Sequence, residues 1–116
     1  MTLKWYSGHA TEAELQKAVT EYLAIREAQR DLLWSVTDPA AKEARERGRR
    51  VRPGWSDITV CVRGGRFVGI ELKRPRGGRT SPKQVAFREA IIKLGGIAVE
   101  CRSVAEVHRA IEGAIK

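Results

Sequence analysis

Apolar residues recur along this chain in two rhythms, one suited to helices and one to strands. Leu15, Val19, Tyr22 and Leu23 fall at the three- and four-residue spacing of one helix face, in a helix running to about Arg30. Thr11 is its N-cap, and Glu14 three residues on completes a capping box. Residues 32–36 read as a short strand, ended by Thr37-Asp38-Pro39. Residues 40–50 are charged and interrupted by Gly48, which marks a connection, and Arg52-Pro53-Gly54-Trp55 turns the chain back. Two alternating strands follow, 57–63 and 66–73, with Gly64-Gly65 at the turn between them. Ser81 then caps a helix with Pro82 at its first position and Gln84 as capping-box partner. That helix is expected to bury Phe87, Ala90, Ile91 and Leu94 and to stop at Gly95-Gly96. Ile97, Val99 and Cys101 alternate on a last strand, and Ser103 with Glu106 opens a last helix carrying Val104, Val107, Ile111 and Ile115. The order is α-β-β-β-α-β-α, an α/β fold.

The hairpin organises the rest. Its register follows from which faces must be buried, because a slip of one residue turns every side chain to the other face. If Ile58, Val60 and Val62 share a face with Val68, Ile70 and Leu72, then Ile58 lies opposite Leu72, Val60 opposite Ile70 and Val62 opposite Val68. The loop is then Gly64, Gly65 and Arg66, a length that usually takes a type I turn, a left-handed glycine and a bulge. The other face carries Asp57, Thr59, Cys61, Glu71 and Lys73, with Asp57 across from Lys73. Two carboxylates and a lysine therefore gather at the open end of one hairpin face. A two-residue loop would have put Asp57 and Glu71 on opposite faces.

Composition adds bounds. The 116 residues, 42% of them hydrophobic, suit one domain spanning 1–116 with one modest core. No apolar run approaches a membrane span and no signal-peptide pattern opens the chain, so the expected location is the cytosol. Cys61 and Cys101 sit in apolar strand contexts and read as buried free thiols; His9 and His108 have no partner at ligand spacing. The net charge of +8 is concentrated. Residues 42–52 carry six basic side chains against Glu43 and Glu46, and residues 73–83 carry five and no acid, so the remainder of the chain is close to neutral. Both runs flank the acidic end of the hairpin, as expected if phosphates are drawn toward it; either run alone would read as a solvated basic surface. The candidates for contacting such phosphates are Arg49, Arg50, Arg52, Arg74, Arg76, Arg79 and Lys83.

Asp and Glu oxygens on one rigid face are the hard ligands that Mg²⁺ prefers, its remaining ligands being water and phosphate. A lysine two residues from the glutamate points the same way and can hold a water or offset charge on a phosphorane. Glu12, three before Leu15 and seven before Val19, falls on the buried stripe, where a carboxylate needs a partner or an ion, whereas Glu14 is accounted for by the cap. Glu12 is thus the candidate for a third acidic ligand, against the plainer reading of a first-turn acid favoured by the helix dipole.

Asp57 followed by Glu71-Leu72-Lys73 resembles the PD-(D/E)xK nucleases. Glu12-x-x-Leu15-Gln16, Gly54-x-Ser56-Asp57, Gly69-Ile70-Glu71-Leu72-Lys73, Ser81-Pro82-x-Gln84 and Gly95-Gly96, in that order, resemble the stand-alone virus-type replication-repair nuclease (VRR-NUC) domains from about Thr11 to Glu106. The resemblance implies a restriction-endonuclease-like core, a mixed sheet with a central hairpin flanked by helices. It implies a Mg²⁺- or Mn²⁺-dependent DNA phosphodiesterase with Asp57, Glu71, the Leu72 carbonyl and Glu12 on the metal, Lys73 by the attacking water, and Gln84 near the active site. It also implies a homodimer, for which Trp5, Tyr6 and Trp34 offer apolar material, and a prokaryotic or phage-encoded cytoplasmic protein. Ser56 stands where the family usually has proline, a change that touches the approach to Asp57 more than its chemistry. The expected function is a structure-selective DNA endonuclease. The alternatives are a non-catalytic nucleic-acid-binding module of the same fold, and a basic RNA- or ribosome-associated domain, which would leave the Asp, Glu, Lys cluster unexplained.

Overall fold

The computed structural model describes residues 11–37, 54–74 and 80–115. Helix α1 (Glu12–Ala28) leads into strand β1 (Leu32–Val36), and the hairpin strands are β2 (Ile58–Val62) and β3 (Phe67–Leu72). Helix α2 (Pro82–Lys93), strand β4 (Ile97–Cys101) and helix α3 (Val104–Ala114) complete the expected order. The strands form one mixed sheet in the order β1-β2-β3-β4, with β4 parallel to β3 and the other neighbours antiparallel. Among the described residues no helix is long and apolar enough to cross a membrane. The lead 1–10 with Trp5 and Tyr6, the connection 40–50, the start of the turn at Arg52-Pro53 and the loop 75–79 lie outside the described residues.

The three helices start where the capping residues place them. The Thr11 hydroxyl accepts from Glu14 N at 3.1 Å and donates to the Glu14 carboxylate at 3.0 Å. Ser81 and Gln84 close a reciprocal capping box, and the Ser103 hydroxyl accepts from Glu106 N at 3.2 Å. Each such cap is worth roughly 0.5–2 kcal/mol against alanine. α1 and α3 share one face of the sheet, where Leu15, Val19, Leu23, Val107 and Ile111 close over Ile58, Val60, Val68, Ile70 and Leu72. Full burial of each such side chain contributes about 1.5–3 kcal/mol. α2 packs on β4 from the other face, and it does so through one buried residue, Phe87. Ala90 and Ile91 are half-buried and Leu94 is 84% exposed, so of the expected four-residue apolar stripe only Phe87 is fully buried. An outer helix over an edge strand has only one line of side chains facing protein.

The hairpin register differs from the expected one by two residues. Ile58 pairs with Ile70 and Val60 with Val68, and Val62 N donates to Arg66 O at 3.1 Å. The loop is Arg63, Gly64 and Gly65, with both glycines at positive φ (99° and 86°), conformations that favour glycine. Arg63 N donates to Asp31 O at 2.7 Å, which ties this loop to the end of α1. A two-residue slide keeps every side chain on its expected face, so the apolar pattern accommodates both registers. What changes is the opposite number of Asp57: continuing the ladder by one pair sets it across from Glu71 rather than Lys73.

Candidate active site

Asp57 is positioned from three sides. Thr37 N donates to Asp57 O at 2.9 Å, and the Thr37 hydroxyl donates to Ser56 O at 2.7 Å. The Asp57 side chain turns to β3, where its Oδ2 accepts from Leu72 N at 2.9 Å. The glycines around it explain the surrounding motifs. Gly54 has φ +82° and lies so close to α2 that a Cβ there would sit 2.3 Å from Lys83 O. A Cβ on Gly69 would sit 2.4 Å from the Oγ of Ser56, which is 1% exposed. Trp55 fills the space between the sheet and α2, edge-on to Phe67, tilted against Phe87, and donating from its indole to Thr59 at 3.0 Å. It is a packing residue.

Glu71 is 2% exposed, and its Oε2 has no hydrogen-bond partner among the described residues. Burial holds its carboxyl above the usual glutamate value; Arg88 and then Lys73 oppose the shift, whereas Asp57 and Glu100 reinforce it. Lys73 is 8% exposed, with Nζ 3.4 Å from Gln84 Oε1. That same oxygen accepts from Ser81 N at 3.0 Å, so Gln84 caps α2 and meets Lys73 through one atom.

The structure thus brings Asp57, Glu71, Lys73 and Gln84 to one face, with Leu72 between them on β3. Glu12 is exposed on the first turn of α1, a helix packed against the opposite face. Burial therefore gives it no need of a partner, and its role as a ligand rests on the resemblance. Among the described residues no group of three or more His, Cys, Asp or Glu is gathered as a ligand cluster. Arg74 and Lys83 are exposed, and Arg49, Arg50, Arg52, Arg76 and Arg79 lie outside the described residues. Cys101 is a buried free thiol as expected, but Cys61 is exposed, because α2 covers the outer face at β4 and not at β2.

Two residues at the site escape the motif reading. Glu100 pairs in register with Glu71 on the neighbouring strand, and Arg88 of α2 lies within 4 Å of both carboxylates. The signals were present: Ile97, Val99 and Cys101 face the core, so Glu100 must face the side of Glu71, and Arg88 is four residues beyond Gln84 on the same helix face. The Glu100 carboxyl is held below its usual value, first by the Thr80 hydroxyl and then, against its burial, by Arg102 and Arg88.

A divalent cation fits this donor set. Two carboxylates share a rigid face, and one carries a buried oxygen that no hydrogen bond from the described residues satisfies, a costly state that an ion would relieve. The elements form a mixed α/β fold that a known structure shares. A solved structure described as a VRR_NUC domain protein shares this fold with a TM-score of 0.66 over 94% of this chain and 90% of its own, at 22% sequence identity. No family model matches the sequence, and no curated protein matches it.

Proposed function

We propose that this chain is a divalent-metal-dependent DNA endonuclease that hydrolyses phosphodiester bonds in structured DNA. The observation that carries the reading is the buried, unsatisfied Glu71 oxygen on the face it shares with Asp57 and Lys73, within a fold shared with a VRR-NUC domain protein. Asp57 and Glu71 would hold Mg²⁺ or Mn²⁺, joined, as the resemblance implies, by the Leu72 carbonyl and Glu12. The ion would supply Lewis-acid charge to polarise the phosphodiester and neutralise the negative charge developing on it. Asp57 is kept in place by the Leu72 amide. Lys73, steadied by Gln84, orients the attacking water and places a positive charge beside the phosphorane. A water oxygen bonds to phosphorus as the ester P–O bond breaks; the attacking water gives up a proton to solvent, and the departing oxygen takes one up from solvent to leave as a hydroxyl. The exposed Arg74 and Lys83, with the basic runs of the sequence, hold the DNA backbone.

The test is nicking of a panel of flaps, four-way junctions and plain duplexes with Mg²⁺, Mn²⁺ or a chelator, for the wild type and Glu71→Gln. Cleavage should need the metal and vanish in Glu71→Gln, while DNA binding survives the loss of one negative charge. Cleavage by the variant at the wild-type rate would sink the assignment. We also propose a C2 homodimer, which would give a junction the two cutting sites that paired incisions require. Trp34 packs against the core of its own chain, which leaves it less free to serve an interface. β1 is nonetheless an edge strand among the described residues, with Leu33 67% exposed. Light scattering giving the mass of one chain, both free and on DNA, would remove the dimer and leave a single-strand nickase.

A further inference from the structure

Two buried or half-buried arginines in this fold are held in contrasting ways. Arg26 is fixed by short contacts: Nε to Asp31 Oδ2 at 2.8 Å, and Nη1 to the Tyr22 hydroxyl at 2.8 Å and Glu112 Oε1 at 2.9 Å. These are the lengths of strong charge-assisted hydrogen bonds. Arg88 has no such fit. Its Nη2 lies 3.4 Å from Glu100 Oε2 and 3.8 Å from Glu71 Oε2, and its buried Nε has no hydrogen-bond partner among the described residues. The guanidinium lies between two carboxylates as a diffuse counter-charge. Its two anchors also differ. Glu100 is held in place by Thr80 and, through Oε1, by Arg102 at 3.0 Å. The Glu71 oxygen that faces Arg88 has no hydrogen bond among the described residues.

We propose that Arg88 is a displaceable counter-ion: it neutralises Glu71 while the site holds no metal, and gives that carboxylate up to a divalent cation while staying on Glu100. Arg88 is then a positioning residue that sets how tightly the metal binds and keeps the acidic face tolerable without it. The inference rests on the metal-dependent reading above. Its arithmetic is that of one positive charge a few ångströms from the incoming ion, a repulsion that weakens binding on the order of tenfold in a partly solvated site.

The experiment is calorimetric titration of Mn²⁺ into the DNA-free protein, with Arg88→Gln and Arg88→Lys beside the wild type. Arg88→Gln should bind Mn²⁺ on the order of tenfold more tightly. It should also melt lower without metal, because Glu71 has lost its counter-charge, and recover more on adding Mn²⁺ than the wild type does. Arg88→Lys keeps the charge and should bind Mn²⁺ within about threefold of the wild type. A merely structural arginine would not tighten metal binding when removed. Unchanged or weaker Mn²⁺ affinity in a folded Arg88→Gln protein, beside a wild type that binds Mn²⁺ and cuts DNA, would overturn this inference and leave the nuclease reading intact. A wild type that neither binds Mn²⁺ nor cuts would overturn both. Should Arg88→Gln not fold, Arg88→Met, with similar length and no charge, carries the same expectation.

Discussion

Gly69→Ala puts a single methyl group against the turn that carries Asp57. The added Cβ would lie 2.4 Å from Ser56 Oγ and 3.3 Å from Phe67 Cε1. The first contact is about 1 Å short of a comfortable heavy-atom separation, so something must move by nearly that much. Ser56 has little room to do so, being buried and tied through its carbonyl to the Thr37 hydroxyl. Overpacking of this kind costs about 1–3 kcal/mol. A displacement passed along one peptide to Asp57 would loosen its bond to Leu72 N, and misplacement of about 1 Å at a site can lower the rate by roughly 100-fold. The assay is a double-mutant cycle by urea unfolding with Gly69→Ala, Ser56→Ala and the pair. Removing Ser56 Oγ should relieve the clash, so the double variant should recover about 1–2 kcal/mol relative to additivity, and part of the cleavage rate with it. Simple additivity, or a Gly69→Ala protein within about 0.5 kcal/mol of wild type, would show that the Ser56–Gly69 contact does not set the position of Asp57.

Gln84→Glu should separate the two duties of that residue. A carboxylate still accepts from Ser81 N and adds a favoured negative charge at the start of α2, so the protein should melt higher, by about 0.3–1 kcal/mol of helix-dipole stabilisation. The same charge should hold Lys73 more tightly and slow cleavage by about tenfold, roughly the worth of one charge-assisted hydrogen bond; a more stable protein with unchanged cleavage would make Gln84 a cap alone. The two thiols should respond differently to iodoacetamide near neutral pH. Cys61 is exposed and should be alkylated in the native state, whereas burial pushes the Cys101 thiol up to about 12 and should leave it unmodified until the protein unfolds, one adduct by mass becoming two. Cys101 contributes stability that is present below the ordinary thiol value and is lost as pH rises through the raised one, so alkaline unfolding should bring its alkylation with it. Native-state modification of both cysteines would contradict the packing of β4.

Faces were legible in the sequence, and register was not. Alternation of Ile58, Val60 and Val62 against Val68, Ile70 and Leu72 decides which side of each strand meets the core, but it repeats every two residues. The choice between two registers of equal face falls to the loop, where two glycines at positive φ and the Arg63–Asp31 bond select the pairing. Neither is visible in the apolar pattern. The capping residues Thr11, Ser81 and Ser103 fixed the helix starts because a cap is a local bond between residues three apart. Burial of Leu94, Cys61 and Glu12 is not legible, for the opposite reason. Each depends on which element covers that part of the sheet, and periodicity within one segment carries no information about coverage. Arg88 and Glu100 could have been found by asking what else shares the face of Glu71.

The two-residue slide of the hairpin has a consequence for recognising proteins built in this way. Directly opposed residues of an unbulged hairpin have position numbers that add to a constant, here an even one, as Ile58 with Ile70 and Val60 with Val68 show. Asp57 and Glu71, both odd-numbered, can therefore meet across the ladder however long the strands grow. The spacing of the acidic pair is thus governed by parity rather than by length. With a loop of three residues, relatives can lengthen or shorten the strands freely so long as an even number of steps separates aspartate from glutamate. An odd spacing should come either with a loop of an even number of residues or with a bulge, each of which restores the shared face by changing the count by one. Searches that fix the distance between the two acids will miss relatives with longer or shorter strands, and searches that fix its parity will keep those whose loop, like this one, has an odd number of residues.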